Sequence, residues 1–352
     1  MEWKNEKSHI VGKFNVCLDQ KKINKIASFD LDNTLIKTKS GKIFPKNGDD
    51  WTFLYPNVIT KLNELYNDRF HIIIISNQKN LKNENEWKNK IFNICVILNI
   101  NIDIYVSLSD DFYRKPCIGL WNKYINIFSD ETFYCGDACG RIKDHNDTDY
   151  KFALNLGIKF LSPENLFLSN DDISFYSTKY PNLSNYINNI YTFNKYYDNL
   201  ELIIMVGLPG SGKTYYSKNY IQDYEYINRD TEKTISKCLK LCEKFLILKK
   251  NIIIDNTNPS IKSRKPFIDI AKKYNYKIRC IVFTTPFDIC LHNNIYRSIT
   301  TNVNIIPKIV YNIYNKNYQQ PNINDGIDFI EQLNFSPNMD DIDKSIYMMF
   351  LY

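Results

Sequence analysis

Short apolar runs that end in polar residues alternate with stretches of helical spacing along the first half of the chain. The runs predict buried strands, and apolar residues recurring every three or four positions predict helices. Strands are expected at residues 26–29, 72–75, 102–106, 132–135 and 158–161, and helices at residues 57–68, 84–99, 116–128 and 149–156. This alternation is typical of an α/β domain with a parallel sheet.

Three segments do not follow the alternation. Residues 1–25 are polar with little periodicity, and we expect them to lead along the surface into the first strand. Residues 37–42 place Gly41 among charged residues, a pattern typical of an exposed hairpin or flap. Residues 169–199 are rich in Ser, Asn, Asp and Tyr without a clean period, which predicts a linker. The predicted domains are therefore residues 1–168 and residues 200–352.

The same alternation begins again after the linker. Strands are predicted at residues 202–206, 251–254 and 277–283, with a shorter one ending at Ile227, and helices at residues 231–249, 260–273 and 287–298. The predicted fold class is therefore α/β, with two Rossmann-like parallel-sheet domains.

Composition limits the classes of protein that this chain can belong to. The 352 residues suffice for two domains with their own cores, and 44% of them are hydrophobic. The net charge of +6 suits a polyanionic partner without requiring one. Nine cysteines without a C-x-x-C pair, and only four His, argue against a zinc site and for reduced thiols in an intracellular protein. The polar amino terminus and the lack of a long apolar run disfavour secretion and membrane insertion.

Two carboxylates, Asp30 and Asp32, follow the first predicted strand. Alternate residues of a strand lie on the same face, so both side chains can meet one ligand. One Asp can attack phosphorus while its neighbour protonates the leaving oxygen and later activates water. Like charges this close favour a bound cation, and Mg²⁺ prefers carboxylate oxygens. An ordinary Asp-rich turn after a strand would give the same pattern without this chemistry.

Other strand and helix ends add candidate groups to the same site. Ser76 follows the strand at residues 72–75, Lys115 precedes a predicted helix, and Asp137 follows another strand. Ligands of open α/β sheets gather at the carboxyl ends of the strands, where a hydroxyl and an ammonium can bind phosphate. Taken singly, Ser76 could equally begin a turn and Lys115 could be a solvated surface residue.

Residues 207–214 match the phosphate-binding loop pattern at every fixed position and stand between a predicted strand and a predicted helix. Glycines allow the backbone N–H groups to wrap the phosphates, and the amino terminus of the helix adds positive potential. Lys213 would reach the β- and γ-phosphates, and Thr214 would hold Mg²⁺. The predicted ATP-binding residues are Gly207, Gly210, Ser211, Gly212, Lys213 and Thr214.

Three residues downstream of this loop are candidates for phosphoryl transfer. Asp230 lies after a predicted strand, where a carboxylate can take the proton of an acceptor hydroxyl. Asp255 ends the next strand and is placed to support Mg²⁺ or the acceptor. Arg297, on a predicted helix, is either a clamp on the triphosphate or a solvated residue.

The order Asp30-Leu31-Asp32-Asn33-Thr34, Ser76, Lys115 and Gly136-Asp137 resembles the haloacid-dehalogenase phosphatase superfamily over roughly residues 26–165. The resemblance implies that Asp30 is the nucleophile and that Asp32 is the general acid and base. It further implies that Ser76 and Lys115 stabilise the phosphate and the aspartyl-phosphate.

The metal ligands also follow from this resemblance, which places Asp137 on Mg²⁺ beside Asp30. With the phosphate-binding loop, the predicted metal ligands are Asp30, Asp32, Asp137 and Thr214. Asp144 and Asp149 are two further candidates for supporting the metal, at a spacing from Asp137 that is looser than the usual pattern of the superfamily.

A second set of motifs lies at residues 25–32, 136–141 and 152–157 in the first half, and at residues 228–231, 255–259 and 292–294 in the second. These motifs are similar to those of the polynucleotide kinase 3′-phosphatases. The order of phosphatase before kinase is that of the animal members of this family.

This second resemblance implies that Asp230 is the general base of a kinase, that Asp255 supports the acceptor or the metal, and that Arg297 is the lid residue. Ile295 stands where the family often has Arg, which leaves the identity of the clamping residue open. Animal members begin with a forkhead-associated domain, whereas this chain begins almost directly at the phosphatase. We therefore expect docking to a phosphothreonine scaffold to be absent or to be supplied differently.

The sequence thus predicts a monomeric bifunctional enzyme that removes 3′-phosphate from nucleic-acid ends and phosphorylates 5′-hydroxyl ends with ATP and Mg²⁺. DNA is the expected strand, with RNA as the alternative, and a ligase is the expected partner. The expected location is the nucleus of a eukaryotic cell, or otherwise the cytoplasm. A small-molecule kinase fused to a metabolite phosphatase would carry the same two cores, and a non-catalytic repair scaffold is disfavoured because the reactive residues are present.

Overall fold

The computed structural model describes residues 1–15, 24–79, 81–170, 180–186, 193, 200–301, 303–334, 337–338 and 343–352. It divides into two compact units, Met1–Lys179 with Met349–Tyr352, and Tyr180–Met348. The linker predicted at residues 169–199 falls mostly outside the described residues. The second predicted domain included residues 349–352, which here pack in the first unit.

The first unit combines a seven-stranded sheet, a two-stranded ribbon and helices. Its strands are β1 Glu2–Asn5, β2 His9–Phe14, β3 Ile26–Phe29, β4 Ile36–Lys37, β5 Thr52–Phe53, β6 His71–Asn77, β7 Ile102–Ser107, β8 Phe133–Cys135 and β9 Lys159–Leu161. Its helices are α1 Val58–Asn67, α2 Glu84–Leu98, α3 Gly119–Tyr124, α4 Thr148–Leu156 and α5 Pro163–Leu168.

The large sheet has the order β1-β2-β7-β6-β3-β8-β9. The five strands from β7 to β9 are parallel, which confirms the predicted fold class. Phe29, the last residue of β3, pairs with Ile74 in β6 and Cys135 in β8. The carboxyl ends of β3, β6 and β8 therefore meet at one edge, with Asp30 directly after β3, Ser76 inside the end of β6 and Asp137 shortly after β8.

The prediction for residues 1–25 was wrong in one respect. β1 and β2 form an antiparallel extension of the sheet, and β2 pairs with β7. Ile10, Val11 and Phe14 are buried there. This apolar set is short, and its burial depends on β7, which lies about ninety residues downstream in the printed sequence.

The helix predicted at residues 116–128 is also shorter than expected. Residues 114–117 form a turn in which Cys117 N donates to Arg114 O at 2.9 Å, and the helix begins only at Gly119. A Cβ on Gly119 would lie 2.4 Å from Phe112 O, so only glycine allows this close approach.

The second unit holds a five-stranded parallel sheet of order β11-β12-β10-β13-β14. Its strands are β10 Glu201–Val206, β11 Glu225–Ile227, β12 Ile252–Ile254, β13 Lys277–Phe283 and β14 Phe329–Leu333. Its helices are α6 Lys213–Tyr220, α7 Arg229–Glu232, α8 Ile235–Ile247, α9 Ile261–Lys273, α10 Phe287–Thr301, α11 Lys308–Asn317 and α12 Lys344–Tyr347.

The long helix predicted at residues 231–249 is in fact divided between α7 and α8. Lys233 adopts a φ of 68°, which ends α7. Thr234 then caps α8, because its side chain accepts a hydrogen bond from Lys237 N. The break separates the short turn that carries Asp230 from the packing helix behind it.

Each unit has its own buried core. In the first, apolar residues of the sheet pack against α1 and α2. In the second, the core also contains an ion pair between Glu201 and Arg279, both fully buried, at 2.6 Å. None of the helices in the described residues has the length and apolar character needed to cross a bilayer.

Candidate active sites

Asp30 lies at the centre of the site in the first unit. Its N–H donates to Cys135 O at 2.9 Å, which continues the β3–β8 pairing by one residue. The next residues leave the sheet, since Asn33 adopts a φ of 57° and the chain turns back into β4. The Asp30 side chain is therefore held at the sheet edge, and the residue is 9% exposed.

Lys115 is a buried ammonium shared by two carboxylates. Its Nζ lies 2.7 Å from Asp30 Oδ1 and 2.8 Å from Asp149 Oδ1. It also donates to Tyr134 Oη at 2.5 Å, and Tyr134 in turn donates to Asp149 Oδ1 at 3.0 Å. Burial opposes the charge, but Asp149 and Asp30 hold the pKa of Lys115 above its ordinary value. The predicted residue Lys115 thus lies in the site and donates hydrogen bonds to three side chains there.

Asp30, Asp137 and Asp149 bring carboxylate oxygens within 4.8 Å of one another. Burial is the main cause that raises the pKa of Asp30 well above its ordinary value, and burial with the charge of Asp149 raises the pKa of Asp137 to about 7. One ammonium does not balance three carboxylates, so the cluster suits a divalent cation, and oxygen donors suit Mg²⁺. Asp32, also predicted as a ligand, is not one of these three residues.

Asp149 and Asp144, the two further candidates for supporting the metal, have different partners in the structure. Asp149, in the first turn of α4, belongs to the carboxylate cluster, and its Oδ2 accepts from Ala138 N at 3.1 Å. Asp144 instead pairs with Arg141 Nε at 2.8 Å and accepts from Cys139 N at 3.2 Å. Asp144 therefore braces the loop after β8 and does not join the cluster.

Asp32 and Ser76 are joined by Gln78, a residue without a predicted role. Gln78 Nε2 donates to Asp32 Oδ2 at 2.7 Å and to Ser76 Oγ at 3.0 Å. On the other side of the carboxylate, Lys90 Nζ lies 3.7 Å from Asp32 Oδ1. The Asp32 carboxylate thus accepts a hydrogen bond from the Gln78 amide and lies beside the Lys90 ammonium.

Sequence reasoning missed Tyr134, Gln78 and Lys90. Tyr134 is an apolar-looking position inside β8, and nothing along the chain distinguishes it from core. Lys90 did carry a signal, because it interrupts the buried face of α2 formed by Trp87, Ile91 and Ile94. A Lys at an apolar position of a helix is rarely buried without a polar partner.

The flap predicted at residues 37–42 begins in β4 and continues into the connection between β4 and β5, at residues 38–51. Asp50 holds it together by accepting hydrogen bonds from Ser40 N, Ser40 Oγ and Lys46 N. At its tip, the side chains of Ile43 and Phe44 are 89% and 80% exposed. This connection starts from the same turn that follows Asp32.

The phosphate-binding loop of the second unit connects β10 to α6 as predicted. Lys213 Nζ donates to Gly207 O at 3.0 Å and to Leu208 O at 2.7 Å, both neutral acceptors. Burial lowers the pKa of Lys213, and no carboxylate lies within salt-bridge distance of it in the described part of the chain. A buried ammonium on neutral oxygens fits a phosphate anion.

Two glycines of the loop meet steric requirements. Gly210 and Gly212 have φ values of 76° and 95°, in the left-handed region. A Cβ on Gly210 would lie 2.3 Å from Cys290 O in α10. The loop and α10 therefore approach each other as closely as their backbones allow.

Thr214 and Asp255 meet at the ends of α6 and β12. Thr214 Oγ1 donates to Asp255 Oδ2 at 2.6 Å, and Tyr226 Oη donates to the same oxygen at 2.5 Å. Asp255 is 2% exposed. A hydroxyl and a carboxylate in contact are oxygen donors suited to Mg²⁺, so these two predicted residues fit that ion.

Asp230 and Arg297 are both exposed. Asp230 lies in the first turn of α7, where Asn228 Oδ1 accepts from Asp230 N at 2.6 Å. Arg297 Nη2 donates to Asn294 Oδ1 at 3.3 Å, and the charge of Arg297 is one of those that lower the pKa of Lys213, after burial. From the same helix, Asn293 Nδ2 donates to Gly210 O at 2.9 Å and so braces the phosphate-binding loop.

Comparison with known proteins shows relatives of both halves. Residues 25–167 match the family described as polynucleotide kinase 3 phosphatase, and residues 226–321 match an AAA domain. The bifunctional polynucleotide phosphatase/kinase of Schizosaccharomyces pombe is 39% identical over 331 residues, which cover 90% of this chain and 81% of the relative.

Two further relatives are similar to all or part of this chain. A protein of Acanthamoeba polyphaga mimivirus that carries the same name provisionally is 34% identical over 95% of this chain and 90% of its own length. A polynucleotide 3′-phosphatase of Arabidopsis thaliana is 37% identical over 41% of this chain and 24% of its own length. With similarity to the first relative extending through both units, the chain belongs to the family of bifunctional polynucleotide phosphatase/kinases, with a haloacid-dehalogenase-type phosphatase in its first unit and a P-loop kinase in its second.

Proposed function

We propose that this enzyme heals broken nucleic-acid ends by removing a 3′-phosphate and by transferring the γ-phosphate of ATP to a 5′-hydroxyl. The observation that carries the proposal is that one chain holds both a buried Asp30–Lys115–Asp149 network and a phosphate-binding loop with Asp255 beside Thr214. Each constellation is complete within its own unit.

In the phosphatase, Asp30 attacks the phosphorus of the 3′-phosphate, and the bond between phosphorus and the sugar oxygen breaks. Asp32 gives its proton to that oxygen, which leaves as the 3′-hydroxyl. Lys115 stays bound to Asp30 and Asp149 and offsets the negative charge at the site. Ser76 donates to a phosphate oxygen.

The second half of this reaction releases phosphate. Asp32, now a carboxylate, takes a proton from water, and the water oxygen bonds to phosphorus as the bond to Asp30 breaks. Asp30 and Asp137, with Asp149 behind them, are the residues that would hold Mg²⁺. That ion supplies positive charge to the transferring phosphoryl group.

In the kinase, Asp230 accepts the proton of the 5′-hydroxyl as its oxygen attacks the γ-phosphorus, and ADP leaves. Its exposure suits a base that must meet the end of an incoming strand. Lys213 binds the β- and γ-phosphates, and Thr214 with Asp255 would hold Mg²⁺, which neutralises charge on those phosphates. Arg297 is the proposed clamp on the donor.

We propose DNA as the preferred strand. The connection at residues 38–51 supports a nucleic-acid substrate, because exposed Phe44 at its tip offers a surface for stacking on a base, and Lys39, Lys42 and Lys46 offer charge for phosphates.

The products, 3′-hydroxyl and 5′-phosphate, are the ends that a ligase joins. We expect a monomer that acts in the nucleus of a eukaryotic cell or in the cytoplasm.

The test uses purified protein with Mg²⁺, labelled ATP and an oligonucleotide that carries a 3′-phosphate and a 5′-hydroxyl. We expect both ends to be converted, DNA faster than matched RNA, and rates that fall with salt as phosphate contacts are screened. A mononucleoside 3′-phosphate should react far more slowly. Equal turnover of mononucleotide and oligonucleotide without a salt effect would contradict the polynucleotide substrate, and equal rates on DNA and RNA would contradict the preference for DNA.

A further inference from the structure

We infer that Gln78 and Lys90 are positioning residues of the phosphatase, which hold the Asp32 carboxylate in place for proton transfer. The inference rests on the proposed role of Asp32 as general acid and base. It assigns a function to two residues that are neither strand-end motif positions nor members of the carboxylate cluster.

Asp32 needs such support because its side chain is largely open to solvent. Its side chain is 48% exposed, whereas that of Asp30 is 13% exposed and is bound by Lys115. A proton donor must sit at the leaving oxygen during bond breaking, and a misplacement of about 1 Å can cost roughly a hundredfold in rate. An unrestrained carboxylate would meet this requirement only part of the time.

Gln78 restrains one oxygen of Asp32. Its amide donates to Asp32 Oδ2 at 2.7 Å and to Ser76 Oγ at 3.0 Å. Its backbone N–H donates to Ser107 O at 2.8 Å, which fixes Gln78 one residue beyond β6. One amide thus ties the proposed proton donor to the proposed phosphate ligand.

Lys90 faces the other oxygen of Asp32, at 3.7 Å. It is 6% exposed and comes from the buried face of α2, a helix fixed at its start because Asn83 accepts from Glu86 N. Within the part of the chain that the structure describes, Asp32 is its one ion-pair partner. A buried ammonium on a rigid helix limits the positions that the carboxylate can adopt and stabilises the charge left on it after proton transfer.

The leaving group of the substrate distinguishes positioning from a general structural role. A sugar alkoxide is a poor leaving group and needs a proton from Asp32, whereas 4-nitrophenolate leaves without one. Variants that misplace the acid should therefore slow the first turnover on an oligonucleotide 3′-phosphate and spare the first turnover on 4-nitrophenyl phosphate.

The experiment measures release of the leaving group in a single turnover, with the full-length enzyme in excess and at saturation. For Gln78→Met and Lys90→Met we expect about a 10–100-fold loss on the oligonucleotide, part of the usual worth of a general acid, and only a few-fold change on the aryl ester. Lys90→Arg should retain most of the rate, and Asp32→Asn sets the full size of the effect. Lys82→Met, at an exposed position before α2, is the matched control.

Equal fractional losses on both substrates, or no loss on either, would overturn the inference. So would a weaker oligonucleotide affinity with an unchanged rate at saturation, since Lys90 would then bind the strand. A wild-type enzyme that hydrolyses the aryl ester but not the oligonucleotide would contradict the proposed substrate alone. In that case an alkyl phosphate such as glycerol 2-phosphate takes the place of the oligonucleotide in the same comparison.

Discussion

At the scale of single residues, the main feature of the phosphatase site is one buried ammonium that pairs with two carboxylates. Lys115 serves Asp30 and Asp149 together, and its side chain is 3% exposed. Burial makes each of these charges costly unless it is paired. The same arrangement that holds Asp30, the proposed nucleophile, therefore makes the stability of the first unit depend on the Lys115 side chain.

Lys115→Met tests this dependence. Removing one partner of a buried ion pair costs about 3–5 kcal/mol, so we expect the first unit to unfold at a lower temperature and the phosphatase activity to vanish. Thermal unfolding and phosphatase assays of the variant measure both effects. Lys143→Met, whose lysine is 72% exposed, is the matched control. An unchanged unfolding transition would show that the two carboxylates do not need the ammonium.

A second residue-scale prediction concerns His292 in α10. Burial lowers the pKa of His292 to about 3, so the folded protein keeps it neutral, while the unfolded chain binds a proton below about pH 6.5. Because the unfolded state then holds more protons, stability is lost as the pH falls from about 6.5 towards 3, by at most about 1.4 kcal/mol per pH unit.

Unfolding free energies of the wild type and of His292→Gln across this pH range measure the effect. The variant should show a shallower dependence on pH, whatever its absolute stability. His145→Gln, at an exposed position, should follow the wild type. Parallel curves for wild type and His292→Gln would mean that His292 is protonated in the folded protein.

At the scale of elements, the strands that carry the motifs were predictable from sequence, because fully apolar runs such as residues 72–75 belong in the middle of a parallel sheet. Elements that depend on distant partners were not. β2 joins the sheet by pairing with β7, and β14, which had no prediction, pairs with β13 at the sheet edge. The break at Lys233 was hidden because neighbouring residues continue a helical pattern.

The candidate site divides in the same way. Asp30, Ser76 and Asp137 could be proposed because each follows a predicted strand, and strand ends meet at one sheet edge. Tyr134 and Gln78 could not, since their role depends on which side chain faces them after folding. The apolar pattern of α2 marks Lys90 as unusual but does not give its partner. The choice of Asp149 over Asp144 also needed the fold, because the loop after β8 determines which one points into the cluster.

Gly210→Ala tests the contact between the phosphate-binding loop and α10. The new Cβ would meet Cys290 O at 2.3 Å, so the loop must shift, and we expect ATP affinity to fall by about tenfold or more, with loss of kinase activity. Gly157 has a similar positive φ of 66°, but a Cβ added there would meet nothing within 4 Å. Gly157→Ala should therefore cost only about 1 kcal/mol of backbone strain and leave ATP binding unchanged.

Titration of ATP into the two variants and the wild type makes this comparison. If both variants bind ATP as the wild type does, the loop does not need the close approach to α10. If both lose affinity, the effect comes from general destabilisation and not from this contact.

At the scale of the whole molecule, two α/β units each carry a separate set of reactive residues. The first has Asp30 and Asp32 at the end of β3, and the second has Asp230 after β11. Each unit has its own sheet and its own core. The central claim is that each reaction is carried out within one unit.

The most direct test is to measure both activities and ATP affinity in Asp30→Asn and Asp230→Asn. Asp30→Asn removes the proposed nucleophile, so phosphatase activity should vanish while kinase activity persists. Asp230→Asn cannot accept the proton of the attacking hydroxyl, so kinase turnover should fall by roughly 10²–10⁴-fold with unchanged phosphatase activity and ATP affinity. If a folded Asp30→Asn protein also loses its kinase activity, the two sites are shared or coupled, and the assignment of each reaction to one unit is contradicted.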